Sequence, residues 1–182
     1  MGSVLTAVAC GPCTWLRRRR LDSSLRALGV ADAKRWVAPI RRAKVIDVYD
    51  GDTVTLAAFV AGDPYKFRCR LARIDAPEMR PEPTRPQAMK DAEKRAARIS
   101  RDALADMALG RLVTVSDVRN EKWGRVLAEL TVDGTGKTLS DRMLAAGFAL
   151  PYAGGTKAAW DWHHFPVKQR HSIRSRRRAK AK

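Results

Sequence analysis

The chain has 182 residues and a mass of 20.3 kDa, enough for one domain with a hydrophobic core and some additional length. Its formal net charge of +17, from 36 Lys and Arg against 19 Asp and Glu residues, excludes an acidic solvating chain and indicates a polyanionic partner, either nucleic acid or an anionic membrane surface. Three cysteines are too few for a disulfide scaffold, and no run of about 18 apolar residues is present to span a bilayer.

The excess charge lies in two terminal segments. Residues 1–44 hold 10 basic and 2 acidic residues, and residues 158–182 hold 8 basic and 1 acidic residue. The central residues 45–157 hold 18 basic and 16 acidic residues and are nearly neutral. Such basic segments are too charged to be buried, so we expect flexible terminal arms that attract phosphate groups without reading sequence.

The N-terminal arm also contains two short motifs. The first residues fit the N-myristoylation pattern with Gly2 as acceptor, and palmitoylation of Cys10 or Cys13 beside Arg17–Arg20 would complete an anchor to anionic lipid. The same two cysteines have the spacing of a thioredoxin-type redox motif, but no βαβ pattern follows them, so we expect ordinary thiols. No secretory signal is recognisable, and the cytoplasm or nucleus is the expected compartment unless the chain is lipid-anchored.

The first part of the central region predicts three antiparallel strands joined by short turns. Residues 44–49 and 53–60 are rich in β-branched residues, and Gly51 in the turn between them is free to take a positive φ. Residues 65–74 alternate between apolar and basic side chains and predict the third strand. The short turns favour a meander.

The second part predicts a long helix, two strands and a short helix. The predicted ranges are 87–109 for the first helix, 112–118 and 125–132 for the strands, and 138–146 for the second helix. Gly110 and Gly147 are expected to end the helices. A further short helix is allowed between residues 21 and 40. Five strands interrupted by a helix predict an α+β fold built on a closed five-stranded β-barrel of OB type, with about three helices.

Acidic and arginine side chains lie at the ends of these strands. Because Asp52 and Asp75 flank strands of one meander, their carboxylates can meet at one rim of the sheet. Two carboxylates and a backbone carbonyl suit Ca²⁺ or Mg²⁺. Arg70 stands five residues before Asp75 on the same predicted strand, so the two should face opposite sides unless the strand bends.

Three segments in series resemble motifs of the staphylococcal nuclease (thermonuclease) family. They are Asp50–Val54, Arg70–Glu78 and Lys122–Arg125, and the region Gly147–Gly155 is similar to a later part of the family. The resemblance covers roughly residues 43–155, which we take as the nuclease-like domain. It leaves a basic N-terminal extension over residues 1–42 and a basic C-terminal tail with Trp and His over residues 156–182.

The resemblance implies a site for one Ca²⁺ ion. Asp52 and Asp75 would bind the ion through their side chains, and Ala76 would bind it through its main-chain carbonyl. Asp50 would hold a water molecule bound to the ion.

The resemblance also implies the catalytic residues. Glu78 would be the general base, Arg70 and Arg125 would bind the phosphate, and Lys122 and Trp123 would contact the substrate. The implied reaction is hydrolysis of DNA or RNA to 3′-phosphate ends, by a chain that we expect to be a monomer. The alternative is an OB-fold module with basic arms that binds nucleic acid without cutting it.

Overall fold

The computed structural model describes most of the chain, namely residues 12–29, 31–32, 34–121 and 124–157. The chain divides into two compact units, Met1–Trp36 and Val37–Lys182. The residues of the expected lipid anchor, Gly2, Cys10 and Cys13, lie outside the residues whose side chains are described. The expected tail from residue 158 onward also lies outside them.

Among its described residues, the first unit contains one helix, α1, over Pro12–Ala27. It includes Arg17–Arg20, so this part of the arm is helical where we expected a flexible segment. Arginine and leucine are good helix formers, and the hydroxyls of Ser23 and Ser24 each donate to the carbonyl of Arg20 at 3.0 Å. The described side chains of α1 are exposed. Within the described part of the chain, no helix combines the length and apolar character needed to cross a membrane.

The described part of the second unit contains seven strands and two helices. In chain order these are β1 (Arg42–Val48), β2 (Thr53–Val60), β3 (Asp63–Leu71), β4 (Ile74–Asp75), α2 (Gln87–Ala108), β5 (Leu112–Asn120), β6 (Val126–Val132), α3 (Leu139–Ala145) and β7 (Leu150–Pro151). Five strands close a barrel in the order β1-β2-β3-β6-β5, with β3 and β6 parallel and the other pairs antiparallel. This confirms the predicted α+β fold with a five-stranded barrel.

The barrel closes around alternating apolar side chains. On β2, Val54 and Leu56 are fully buried, and they stand opposite Cys69 and Phe67 of β3. Side chains alternate between the two faces of a strand, so Lys66 and Arg68, which lie next to Phe67 in β3, face outward and are exposed. The alternation that predicted these strands is therefore the alternation between the core and solvent.

The third strand ends earlier than predicted. It stops at Leu71, and a two-residue turn follows in which Arg73 has a φ of 65°. The turn is held because the N–H of Ala72 donates to Ala128 O at 3.0 Å and the side chain of Arg73 pairs with Glu129 at 2.7 Å. The chain then resumes as β4, which pairs with β7. This break removes the expected conflict between Arg70 and Asp75, because the two residues no longer belong to one continuous strand.

Helix α2 ends within one residue of its predicted boundary, and Gly110 follows it with a φ of 76°. Its buried face contains two polar side chains, Glu93 and Ser100, which the predicted apolar stripe did not include. Glu93 accepts the N–H of Glu78, and Ser100 packs against Gly51 in the turn between β1 and β2.

Candidate active site

The turn between β1 and β2 packs tightly against α2. Gly51 does not use the positive φ that is open to glycine; its missing side chain serves close packing instead. A Cβ at this position would overlap Ser100 Oγ and lie 2.8 Å from the Cβ of Ala76. The hydroxyl of Ser100 is also fixed, since it donates to Phe148 O at 2.8 Å. Gly51 thus lets the turn that carries Asp50 and Asp52 approach the helix.

Gly51→Ala is expected to lower the free energy of unfolding by about 1–3 kcal/mol, because an extra methyl group must displace packed atoms. Urea denaturation of the variant and the wild type measures this difference. A change below about 0.5 kcal/mol, typical of unconstrained surface positions, would contradict the packing role.

Arg70 brings the two candidate metal ligands together. Its Nη1 donates to Asp52 Oδ1 at 3.0 Å, and its Nη2 lies 2.8 Å from Asp52 Oδ2 and 3.0 Å from Asp75 Oδ1. All three residues are buried. Burial lowers the pKa of the Arg70 guanidinium, but the carboxylates of Asp52 and Asp75 raise it, and the net direction is upward. In this state the guanidinium pairs with the carboxylates rather than standing free for a phosphate.

Asp52 is the most buried carboxylate of the cluster, at 2% exposure. The N–H of Ala76 donates to its Oδ2 at 3.2 Å, and its own N–H donates to Asp50 Oδ1 at 3.1 Å. Burial and the negative charge of Asp50 raise the pKa of Asp52 to about 7, against the opposing effect of Arg70. Arg70 therefore offsets only part of the effect that burial and Asp50 have on the pKa of this carboxyl group.

Glu78 lies at the more open side of the cluster, and a residue that the motifs did not indicate contacts it. Lys157 Nζ is 2.7 Å from Glu78 Oε1 and 2.9 Å from Asp75 Oδ1. The side chains of Lys157 and Glu78 are 45% and 44% exposed. No sequence signal singled out Lys157, because it lies beyond the three motifs and reaches the site through the pairing of β7 with β4.

The loop that carries Glu78 is fastened to α2 by Glu93. This buried carboxylate accepts the N–H of Glu78 at 3.4 Å and pairs with Arg85 Nη1 at 2.7 Å. Glu93 therefore joins both ends of the loop between β4 and α2. The amphipathic pattern of the helix hid this role, since a charged residue is not expected on the buried face.

Glu93→Gln keeps the shape of the side chain but removes its charge. We expect the free energy of unfolding to fall by about 1.5–3 kcal/mol, the usual contribution of a charged hydrogen bond. Glu82→Gln is the matched control, because Glu82 lies 3.9 Å from the same Arg85 and is 64% exposed. Chemical denaturation should show a larger loss of unfolding free energy in Glu93→Gln than in Glu82→Gln. Equal losses in the two variants would contradict the role of Glu93 in anchoring the loop.

Arg125, from the third predicted motif, pairs with a carboxylate that is not part of the cluster. Arg125 Nε is 2.8 Å from Glu121 Oε2, and within the described chain it contacts none of the clustered carboxylates. Lys122 and Trp123 lie outside the described residues. Glu121, the partner of Arg125, and Arg70 both line a cavity of about 460 Å³. Tyr152, which the sequence did not indicate, also lines it.

The cluster suits a divalent cation by its charge and donor type. Four carboxyl groups, those of Asp50, Asp52, Asp75 and Glu78, surround two cations, Arg70 and Lys157. Carboxylate oxygens are the ligands that Ca²⁺ prefers, and the pKa of Asp52 is raised first by burial and then by the negative charge of Asp50. Among the described residues, no group of three or more His, Cys, Asp or Glu side chains forms a ready-made metal site, so main-chain oxygens and water would complete the coordination.

Comparison with known proteins identifies the family. Residues 68–171, more than half of the chain, match the model of the staphylococcal nuclease homologue family. The match includes Arg70, Asp75 and Glu78, whereas Asp50 and Asp52 precede it. A search of curated proteins finds no match. The family match indicates a nuclease-type function on nucleic acid, in a family that is typically metal-dependent. The chain therefore belongs to the staphylococcal nuclease homologue family.

Proposed function

We propose that the protein is a Ca²⁺-dependent, sequence-nonspecific endonuclease that hydrolyses DNA, RNA or both and leaves 3′-phosphate ends. The observation that carries this proposal is the convergence of Asp52 and Asp75 on Arg70, with Glu78 joined to Asp75 through Lys157, in a domain of the nuclease family. A phosphodiester is anionic and repels a nucleophile, so its hydrolysis needs positive charge and a proton acceptor side by side.

Asp52 and Asp75 would hold one Ca²⁺ ion through their carboxylates, and the main-chain carbonyl of Ala76 would be a further ligand. Asp50 already accepts the N–H of Asp52 and would orient a water molecule beside the ion. When bound, the ion polarises a phosphate oxygen and neutralises part of its charge.

Glu78 would accept the proton of the attacking water. Its partial exposure leaves it accessible to solvent, and it stands beside the metal ligand Asp75 through their shared contact with Lys157. The water oxygen forms a bond to phosphorus and the bond from phosphorus to the 5′ oxygen breaks. The departing oxygen takes up a proton and becomes a 5′-hydroxyl, and the phosphate stays on the 3′ side.

Arg70 and Arg125 would stabilise the charge that grows on the phosphate oxygens. A guanidinium presents paired N–H donors that match two phosphate oxygens, which a lysine cannot do. In the free protein Arg125 pairs with Glu121, so an entering phosphate would compete with that carboxylate. The cavity beside Arg70 has the size of a small-ligand site and would take one nucleotide unit.

The basic segments would supply affinity for the substrate. Residues 1–42 and 156–182 carry most of the net charge, and Lys122 and Trp123 would add a phosphate contact and a stacking surface. The same proposal includes the division of the chain into these arms and a domain over residues 43–155. It also includes a monomeric state and a lipid anchor at the N terminus.

A non-catalytic nucleic-acid-binding module is the second candidate function. It is favoured by the pairing of Arg125 with Glu121 and by the two organic cations that already neutralise the carboxylates. The two candidates differ in whether the bound strand is cut.

An end-labelled single-stranded oligonucleotide, incubated with the protein in Ca²⁺ or in chelator, distinguishes them. The nuclease proposal predicts shorter products with 3′-phosphate ends in Ca²⁺ and intact substrate in chelator. Intact substrate in both conditions, with a retarded band on a native gel, would instead support the binding module.

A further inference from the structure

One oxygen of the candidate metal ligand Asp75 accepts two cations from the protein itself. Asp75 Oδ1 is 3.0 Å from Arg70 Nη2 and 2.9 Å from Lys157 Nζ. A calcium ion prefers carboxylate oxygens at about 2.3–2.6 Å, so its approach to this oxygen brings it close to both positive groups. Like charges at this separation repel, and at least one of the two must move.

The two cations differ in how firmly they are held. Arg70 is 8% exposed and its guanidinium forks onto Asp52 in addition to Asp75. Lys157 is about half-exposed, and both of its contacts are with Asp75 and Glu78 at the open side of the cluster. An ammonium on a flexible stem can move into water at little cost, whereas a buried arginine cannot. Lys157 is therefore the cation that we expect to move away from Asp75 when a calcium ion approaches.

The backbone that presents Lys157 explains why it reaches the site. Strand β7 pairs with β4 with Leu150 opposite Asp75 and Pro151 opposite Ile74, so the chain passes Asp75 as it enters β7. The N–H of Tyr152 donates to Arg73 O at 2.8 Å, and its hydroxyl donates to Gly155 O at 3.0 Å. Gly154 and Gly155 both have positive φ, which curves the segment and returns Lys157 toward the carboxylates.

We propose that Lys157 is a positioning residue that sets the metal affinity of the site. Its ammonium stands in for part of the ion's charge in the metal-free protein, holds Asp75 and Glu78 together, and leaves Asp75 when a divalent cation binds. This inference rests on the proposed calcium site but adds a residue from outside the family's motifs. It predicts weaker binding of calcium by the wild type than by a protein without this competing charge.

Isothermal titration calorimetry with Ca²⁺ alone tests the inference without any activity measurement. Lys157→Met should lower the dissociation constant for Ca²⁺ roughly 3- to 30-fold, because a competing unit charge is removed from the ligand oxygens. Lys157→Arg keeps the charge and should stay close to the wild type. Lys137→Met is the matched control for net charge, since Lys137 is exposed, and it should leave the dissociation constant unchanged.

Thermal unfolding gives a second, independent readout. In chelator, Lys157→Met should melt below the wild type, because Asp75 and Glu78 lose a counter-ion. Saturating Ca²⁺ should raise the melting temperature of this variant more than that of the wild type.

The outcomes separate this inference from the proposed function. Measurable Ca²⁺ binding with equal dissociation constants in the wild type and Lys157→Met, or weaker binding by the variant, would overturn the role of Lys157 and leave the calcium site standing. Absence of binding in both proteins would overturn the proposed calcium site, and this inference with it.

Discussion

Arg70→Met is expected to lower the free energy of unfolding in chelator by about 3–5 kcal/mol, the usual loss when one member of a buried ion pair is removed. Arg70 pairs with Asp52 and Asp75, and all three side chains are at most 9% exposed. Without the guanidinium, two buried carboxylates face each other and the nearby Asp50 without their principal counter-ion. The protein must then either ionise them at high cost or bind protons.

Denaturant unfolding measures this loss, with Arg101→Met as the control. Arg101 pairs with Asp102 at 2.8 Å, but both side chains are about one-third exposed, so its removal should cost less than about 1 kcal/mol. If the proposed metal ligands are correct, Ca²⁺ should recover part of the stability of Arg70→Met. A loss no larger than that of the control would contradict the central position of Arg70.

Glu78→Gln is expected to slow phosphodiester cleavage by a factor of roughly 10²–10⁴ with little change in substrate binding. The amide keeps the shape of the side chain and an oxygen that can accept from Lys157, but it cannot take a proton from water. The rate constant from single-turnover experiments and the dissociation constant from gel retardation measure the two effects separately.

Glu82→Gln is the control for this rate, because Glu82 lies in the same loop, is exposed, and has no assigned part in the reaction. It should cleave at the wild-type rate. Equal rates for Glu78→Gln and the wild type would remove Glu78 from the mechanism. An equal loss of cleavage rate in Glu82→Gln would mean that a change in the loop, rather than loss of the general base, slows the reaction.

The barrel could be predicted from the sequence because its strands alternate between core and solvent. Val54 and Leu56 of β2 stand opposite Cys69 and Phe67 of β3, and this periodicity is visible without any tertiary information. The same pattern could not predict where β3 ends. The positive φ of Arg73 and its pairing with Glu129 depend on a strand more than fifty residues later.

The site residues that lie in short motifs could be predicted from the sequence. Those that tertiary packing brings to the site could not. Asp52 and Asp75 follow from their positions at strand ends, but their meeting on one guanidinium depends on the turn before β4. Gly51 was expected for its backbone freedom, whereas the position of Ser100 on α2 decides its role. Lys157 carries no local signal, since only the pairing of β7 with β4 brings it to the carboxylates.

Arg125, which the resemblance implies as a phosphate ligand, has a carboxylate partner in the free protein. Its guanidinium pairs with Glu121, in a segment interrupted by two residues outside the described structure. A local sequence pattern gives the residue type but not the partner that the side chain takes in the free protein. Under the proposed function, a phosphate that binds Arg125 would have to displace Glu121, so loss of this contact would report a rearrangement of the site on binding.

The most direct test of the central claim is cleavage of plasmid DNA and single-stranded RNA by the wild type in Ca²⁺ and in chelator, beside Glu78→Gln purified in the same way. The account predicts degradation by the wild type in Ca²⁺, none in chelator, and little by the variant. Intact nucleic acid in every lane, or equal degradation by the wild type and the variant, would contradict it.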